Sequence, residues 1–267
     1  MRFFIGFVVF STWLFPVAAF PQTAAQDDAL LARTRGLYDA PFTRDLVSFD
    51  CAVQFDWKQH FVDLLHILPP AAAPIVERLQ PIKHRVFVDH SGAVLSDVPA
   101  APELSSVAHA TELEGGFKAL VAAGLNAWLP SATNVILPVG PIKFNFETID
   151  AGYRLTLDDP GVAATLLLAP DLRLTSGVSQ LPQSMRFTTK FGQGPNGFLL
   201  NSITTGDTTD GTATRDASFS YMYQSVQGFE LPSSVTIKPA APEIWHYALT
   251  DCKVQTGIRI KIGLPKN

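Results

Sequence analysis

The sequence predicts an α+β fold, mainly antiparallel β: a long curved sheet forming an unclosed barrel, with a central apolar helix packed as a plug on its concave face. Three observations lead there. Residues 142–262 read as one strand after another, with turn residues at nearly every junction and no helical interlude. Residues 103–129 carry helical periodicity with very few charges. Residues 47–57 place Val47, Phe49, Cys51, Val53, Phe55 and Trp57 in alternation with more polar neighbours. That is a strand of about 11 residues, twice the usual length, which suits a strongly curved sheet better than a small sandwich.

Residues 1–19 have the form of a secretory leader. Arg2 gives a positive start, residues 3–15 an apolar run, Pro16 a break, and Val17, Ala18 and Ala19 the small residues of a cleavage site. A second possible cut follows Thr23-Ala24-Ala25. The run of about 13 apolar residues is shorter than the roughly 20 that span a bilayer. The expectation is a mature chain, residues 20–267, forming a single β-rich half-barrel domain that is periplasmic or secreted.

Residues 27–38 have helical spacing in Leu30, Leu31, Thr34, Leu37 and Tyr38, with Asp27 and Asp28 suited to a first turn. After the long strand, residues 61–68 read as a short apolar turn, and 74–79 as a short helix beyond Pro69-Pro70. Residues 85–89 and 93–98 flank His90-Ser91-Gly92 as a hairpin. In the main helix Phe117, Leu120, Val121, Gly124, Leu125 and Trp128 form an apolar stripe, and Gly115-Gly116 marks a bend or hinge. The later strands are 143–147, 153–158, 162–168, 172–178, 185–191, 198–205, 217–224, 229–237, 244–254 and 258–262.

The net charge of −4 becomes one unit more negative once Arg2 leaves with the leader. Basic residues are not gathered on any face, so no nucleic-acid partner is expected. Charged residues make up 16% of the chain, against roughly 25% in ordinary soluble domains. Cys51 and Cys252 lie near opposite ends of the folded region. Two readings stand: a bridge closing a very long loop in an oxidising compartment, or two buried thiols that never meet.

Standard catalytic motifs are missing: no G-x-S-x-G, H-E-x-x-H, phosphate-binding glycine loop or paired C-x-x-C occurs. His60, Asp63 and His66 are spaced around a helix rather than along one face, so no metal site is expected. Lys83-His84-Arg85 reads as a solvated strand edge, and Asp158-Asp159 as turn formers ahead of Pro160-Gly161. No cofactor is expected. In several strands both faces are apolar: Ala163 and Leu167 oppose Leu166 and Leu168, and Leu199 and Ile203 oppose Phe198 and Leu200. Such strands are covered on both sides or line a dry cavity.

The order of elements over residues 27–255 and the piece from Tyr221 to Pro232, YMYQSVQGFELP, resemble the bacterial lipoprotein-carrier group, the LolA- and LppX-like fold. Gly228 permits the tight reversal there, and Pro232 is expected near a sheet edge. The resemblance implies an unclosed barrel whose concave face, plugged by helices, holds acyl chains. The chain departs from that group in its longer helical insert, its paired cysteines and the lack of an arginine matching the group's gate.

The expected function is a non-catalytic carrier or sensor whose partner is a lipid or an acylated protein. Leu166, Leu168, Phe187, Leu200, Phe219 and Tyr221 are the expected concave wall, and Phe117, Leu120, Leu125 and Trp128 the covering helix. The alternatives are an envelope interaction or scaffold protein with a self-filled core, binding an envelope protein through a sheet edge such as residues 258–262, and an unrecognised hydrolase.

Overall fold

A computed structural model describes residues 24–65, 70, 72–97, 109–140, 142–159, 162–179, 185–207, 216–239 and 243–257. The leader 1–19, His66, the first residues of the expected 103–129 helix and the expected strand 258–262 lie outside them. In chain order the elements begin with α1 (Ala24–Arg35), a 3₁₀ turn (Pro41–Thr43), β1 (Leu46–Gln54), α2 (Trp57–Leu65) and α3 (Ala73–Leu79). The hairpin β2 (His84–Asp89) and β3 (Gly92–Asp97) follows, then α4 (Ala110–Ala132). The meander is β4 (Phe144–Ile149), β5 (Gly152–Asp159), β6 (Val162–Leu168), β7 (Leu174–Ser179), β8 (Met185–Gly194), β9 (Gly197–Asp207), β10 (Ala217–Val226), β11 (Phe229–Lys238) and β12 (Trp245–Thr256).

All twelve strands form one open antiparallel sheet in the order β3-β2-β1-β12-β11-β10-β9-β8-β7-β6-β5-β4. Every neighbouring pair is also a neighbour in sequence except β1 with β12. The fold therefore depends on one long-range joint, and the two cysteines sit on it. Asp50 pairs with Lys253 and Ala52 with Thr250, so Asp251 and Cys252 together oppose Cys51 in a bulge. Asp251 takes a positive φ of 47° there. Cys51 and Cys252 are bonded to each other, 201 residues apart in sequence. A cross-link closing a loop of that size stabilises by about 5 kcal/mol in the chain-entropy model.

Two local corrections concern the first strand. β1 stops at Gln54 rather than running through Trp57, because the Asp56 carboxylate accepts the Gln59 backbone N–H at 3.0 Å and starts α2. Residues 61–65 of the turn expected at 61–68 are thus the second half of a helix, and 66–68 lie outside the described residues. Val47 is bulged out between the Leu46–Thr256 and Ser48–Gln255 pairs and is 44% exposed, whereas simple alternation puts it beside Phe49. A similar bulge at Asn201 lies between the Ser202–Lys190 and Leu200–Phe191 pairs. It brings Leu200 and Ile203, expected on opposite faces, into the same buried body.

Both free edges are covered by a helix. On β4 the Phe146 N–H donates to Asp27 Oδ2 of α1 at 3.3 Å, and on β3 the Ala93 N–H donates to Asn126 Oδ1 of α4 at 3.1 Å. Pro232 lies not at an edge but inside the sheet. It is paired with Tyr223 next to a bulge, where β11 pairs with β12 only over residues 234–237. Gly228, at φ +83° after Gln227 at +52°, makes the expected reversal into β11.

Candidate functional site

The apolar stripe of α4 lies against one face of the sheet. Phe117, Val121, Gly124, Leu125, Trp128 and Leu129 are buried, and the helix runs unbroken through Gly115 and Gly116. Buried aromatic side chains tie it to the strands below. Tyr247 Oη donates to the Val121 carbonyl at 3.1 Å and Tyr221 Oη to the Gly124 carbonyl at 2.9 Å. Trp128 Nε1 donates to Tyr223 Oη at 3.2 Å, and that hydroxyl donates in turn to the Leu200 carbonyl at 2.7 Å. Burial pushes the phenols of Tyr221, Tyr223 and Tyr247 well above the ordinary tyrosine range. Each hydroxyl is thus a neutral donor in an apolar setting, where an unmade hydrogen bond is costly.

The three glycines of α4 differ in kind. A Cβ on Gly124 would stand 2.8 Å from Tyr247 Oη and 3.2 Å from both Ile237 Cδ1 and Val235 Cγ1, so close approach of helix and sheet requires glycine there. Among the described residues a Cβ on Gly115 or Gly116 would meet nothing within 4 Å, and both residues are exposed.

The expected site residues fall into one apolar body, in three neighbourhoods. Phe117 lies among rings: its centroid is 4.5 Å from Phe55, 5.4 Å from Trp57 and His84, and 6.4 Å from Trp245. Trp128, at the other end of the helix, packs edge-on against Phe49 at 6.0 Å and Phe42 at 6.3 Å. Leu166 and Phe187 meet over Gly177, whose missing Cβ would lie 2.7 Å from one side chain and 2.5 Å from the other. Leu168, Leu200, Phe219, Tyr221 and Leu125 are buried, while Leu120 and Phe187 are half-buried. All of them belong to, or pack against, one continuous cluster of buried apolar side chains.

Sequence reasoning missed the aromatic cluster around Phe117. His84, read as part of a solvated edge, alternates with Val86 and Val88 and points inward, 3% exposed. Arg85, on the opposite face, pairs with Asp50 at 2.9 Å. The signal was present in the period-2 pattern His84-Val86-Val88, but the flanking Lys83 and Arg85 obscured it.

Tyr38 organises the far side. Residues 37–39 lie beside β9, with the Phe198 N–H donating to the Leu37 carbonyl at 2.7 Å and the Asp39 N–H to the Phe198 carbonyl at 3.0 Å. Tyr38 Oη donates to the Leu172 carbonyl at 3.0 Å and accepts the Leu174 N–H at 2.7 Å, clamping the β6–β7 connection. Burial pushes its phenol up to about 12.

Two clefts stand out among the described residues, and the second is lined in part by Phe187, one of the expected wall residues. One, of about 820 Å³, is walled by α2 and the start of β12 and lined by Gln54, Phe55, Asp56, Gln59, His60, Asp63, Leu64, Ile244, His246 and Ala248. The other, about 420 Å³, is a trough over β6–β9 floored by Gly177 and Gly206, with the Arg186–Asp216 ion pair at its side. Among the described residues no group of three or more His, Cys, Asp or Glu could hold a metal ion, and no helix is long and apolar enough to cross a membrane. No family model, curated protein or solved structure matches this chain.

Proposed function

We propose that the protein is a non-catalytic extracytoplasmic carrier or sensor for a hydrophobic ligand, a lipid or the acyl chain of a lipoprotein. On this reading the open sheet is a half-barrel, its concave face is the binding surface, and α4 is the plug that the ligand displaces. The observation that carries it is the contrast among the glycines of α4. Gly124 is demanded by the packed state, whereas Gly115 and Gly116 cost the helix about 1 kcal/mol each and have no packing reason among the described residues. A pair of such glycines between the first turn and Phe117 gives the helix a place to bend away.

Magnitudes decide what such a ligand must be. Lifting Phe117, Val121, Leu125 and Trp128 off the sheet exposes four side chains at roughly 1.5–3 kcal/mol each. A buried methylene returns about 0.8 kcal/mol, so a chain of roughly a dozen carbons offsets the displacement and a chain of four does not. The Cys51–Cys252 bond suits an oxidising compartment and keeps the β1–β12 joint closed while the helix moves.

A second reading has its own support. The continuous cluster of buried apolar side chains is what an envelope interaction or scaffold protein with a self-filled core would have. Mass spectrometry of organic extracts from protein purified out of its native envelope separates the two. Stoichiometric lipid supports the carrier; a stable protein partner without lipid supports the scaffold.

A further inference from the structure

We propose that the cleft between α2 and β12 is a second binding site, separate from the face beneath α4, and that it takes a small organic cation: a protonated amine carrying an apolar body. The cleft, about 820 Å³, falls within the few hundred to 1,000 Å³ of small-molecule sites. Its walls are of two kinds. Phe55, Leu64, Ile244 and Ala248 make an apolar lining, and Ile244 is 53% exposed at the wall, a large side chain left for a guest to cover. Asp56 and Asp63 supply carboxylates, and among the described residues no lysine or arginine lines the cleft.

Each carboxylate is held in place by the fold and still has an acceptor to offer. Asp56 Oδ1 caps α2 through the Gln59 N–H at 3.0 Å, and Asp63 Oδ1 accepts Gln59 Nε2 at 2.7 Å. One glutamine, about one turn from each acid, thus holds both carboxylates about two helical turns apart and leaves the second oxygen of each for a donor. His60 lines the same cleft although it is only 8% exposed. Its ring lies over Trp245 at 4.0 Å and 5.4 Å from Phe55, and burial lowers its pKa, so at neutral pH it adds no positive charge to oppose a cation. The Glu243 carboxylate is close enough to act on the same ring. A metal ion fits less well, because among the described residues the acids and imidazoles do not gather around one point. An ammonium group with a phenyl or alkyl body uses both kinds of wall at once.

The test uses the full mature chain with its disulfide intact. The probe is 2-phenylethylammonium, the control 2-phenylethanol, which has the same body without the charge, and the readout is fluorescence of Trp57 and Trp245 together with calorimetry. The expected result is saturable binding of the ammonium that weakens with added salt, and at least about tenfold weaker binding of the alcohol, a difference of about 1.4 kcal/mol. Asp63→Asn, which preserves the acceptor for Gln59, should weaken the ammonium several-fold while leaving the alcohol unchanged. Ala248→Phe, filling the cleft from the outer side of β12, should abolish both. No saturable binding up to about 10 mM, equal affinity for the two probes, or indifference to Asp63→Asn overturns the proposal. None of these outcomes bears on lipid uptake beneath α4.

Discussion

The Tyr221 hydroxyl donates to the backbone carbonyl of Gly124 at 2.9 Å. The sheet is therefore bonded to the interior backbone of α4 at the one glycine where the helix can come close enough. Tyr247 repeats the arrangement at the Val121 carbonyl, and on the other side the indole N–H of Trp128 donates to the Tyr223 hydroxyl of the sheet. Such bonds fix the helix in one register over an apolar bed that would otherwise tolerate sliding, since apolar contact is non-directional.

Gly124→Ala should destabilise the protein by about 1–3 kcal/mol, the usual cost of overpacking, because its Cβ would press on Tyr247, Ile237 and Val235. Gly115→Ala and Gly116→Ala should each stabilise by up to about 1 kcal/mol, since open space surrounds both positions. Denaturant unfolding of the three variants gives the comparison directly. Opposite signs within one helix are the expected outcome.

Removing the Cys51–Cys252 bond with paired Cys→Ser changes should cost about 5 kcal/mol in the chain-entropy model. The loss should concentrate at the β1–β12 joint, the one pairing between strands distant in sequence among the described residues. Hydrogen exchange would show early loss of protection in Leu46–Gln54 and Trp245–Thr256, with the β8–β9 hairpin retaining protection longest.

Alkaline titration has a definite sign. The folded pKa values of Tyr38, Tyr221, Tyr223 and Tyr247 lie above the unfolded value, chiefly through desolvation. Their contribution to stability is complete below about pH 10 and is lost as pH rises above it, because only the unfolded chain ionises easily. Phenolate absorbance from these four should appear in a step that coincides with unfolding by circular dichroism.

His60 sets the acid side. Desolvation lowers its folded pKa below the unfolded value, so the unfolded chain binds its proton first. Stability should therefore be complete above about pH 6.5 and decline as pH falls below it. In His60→Gln, which keeps a polar group without titrating, the melting temperature should fall less between pH 7 and pH 5 than in the native chain.

How much of this was legible in the sequence depends on what each residue reports. Period-2 alternation located the meander strands and the β2–β3 hairpin, since it follows from the pleat and needs no tertiary information. The apolar stripe of α4 was equally plain. Bulges were not: nothing local marks Val47 or Asn201 as the extra residue, and each reverses the facing of its neighbours. Asp56 looked like one more polar position in a strand, because its role as a helix cap is visible only once Gln59 turns back to it. The pairing of Cys51 with Cys252 needed the β1–β12 register, a long-range fact. The expected wall residues were read as apolar positions on one face; that they join a single buried cluster depends on the tertiary packing of distant strands.

The most direct test of the account is uptake of a fluorescent long-chain fatty acid by protein in which α4 can or cannot leave the sheet. Ala93→Cys with Asn126→Cys, joined by oxidation, ties α4 to β3 where the Ala93 N–H already meets the Asn126 side chain at 3.1 Å. The account predicts saturable uptake by the native chain, loss of about tenfold or more in affinity when the tie is closed, and recovery when that bond alone is reduced. Equal uptake by tied and untied protein, or no uptake by either, would contradict it.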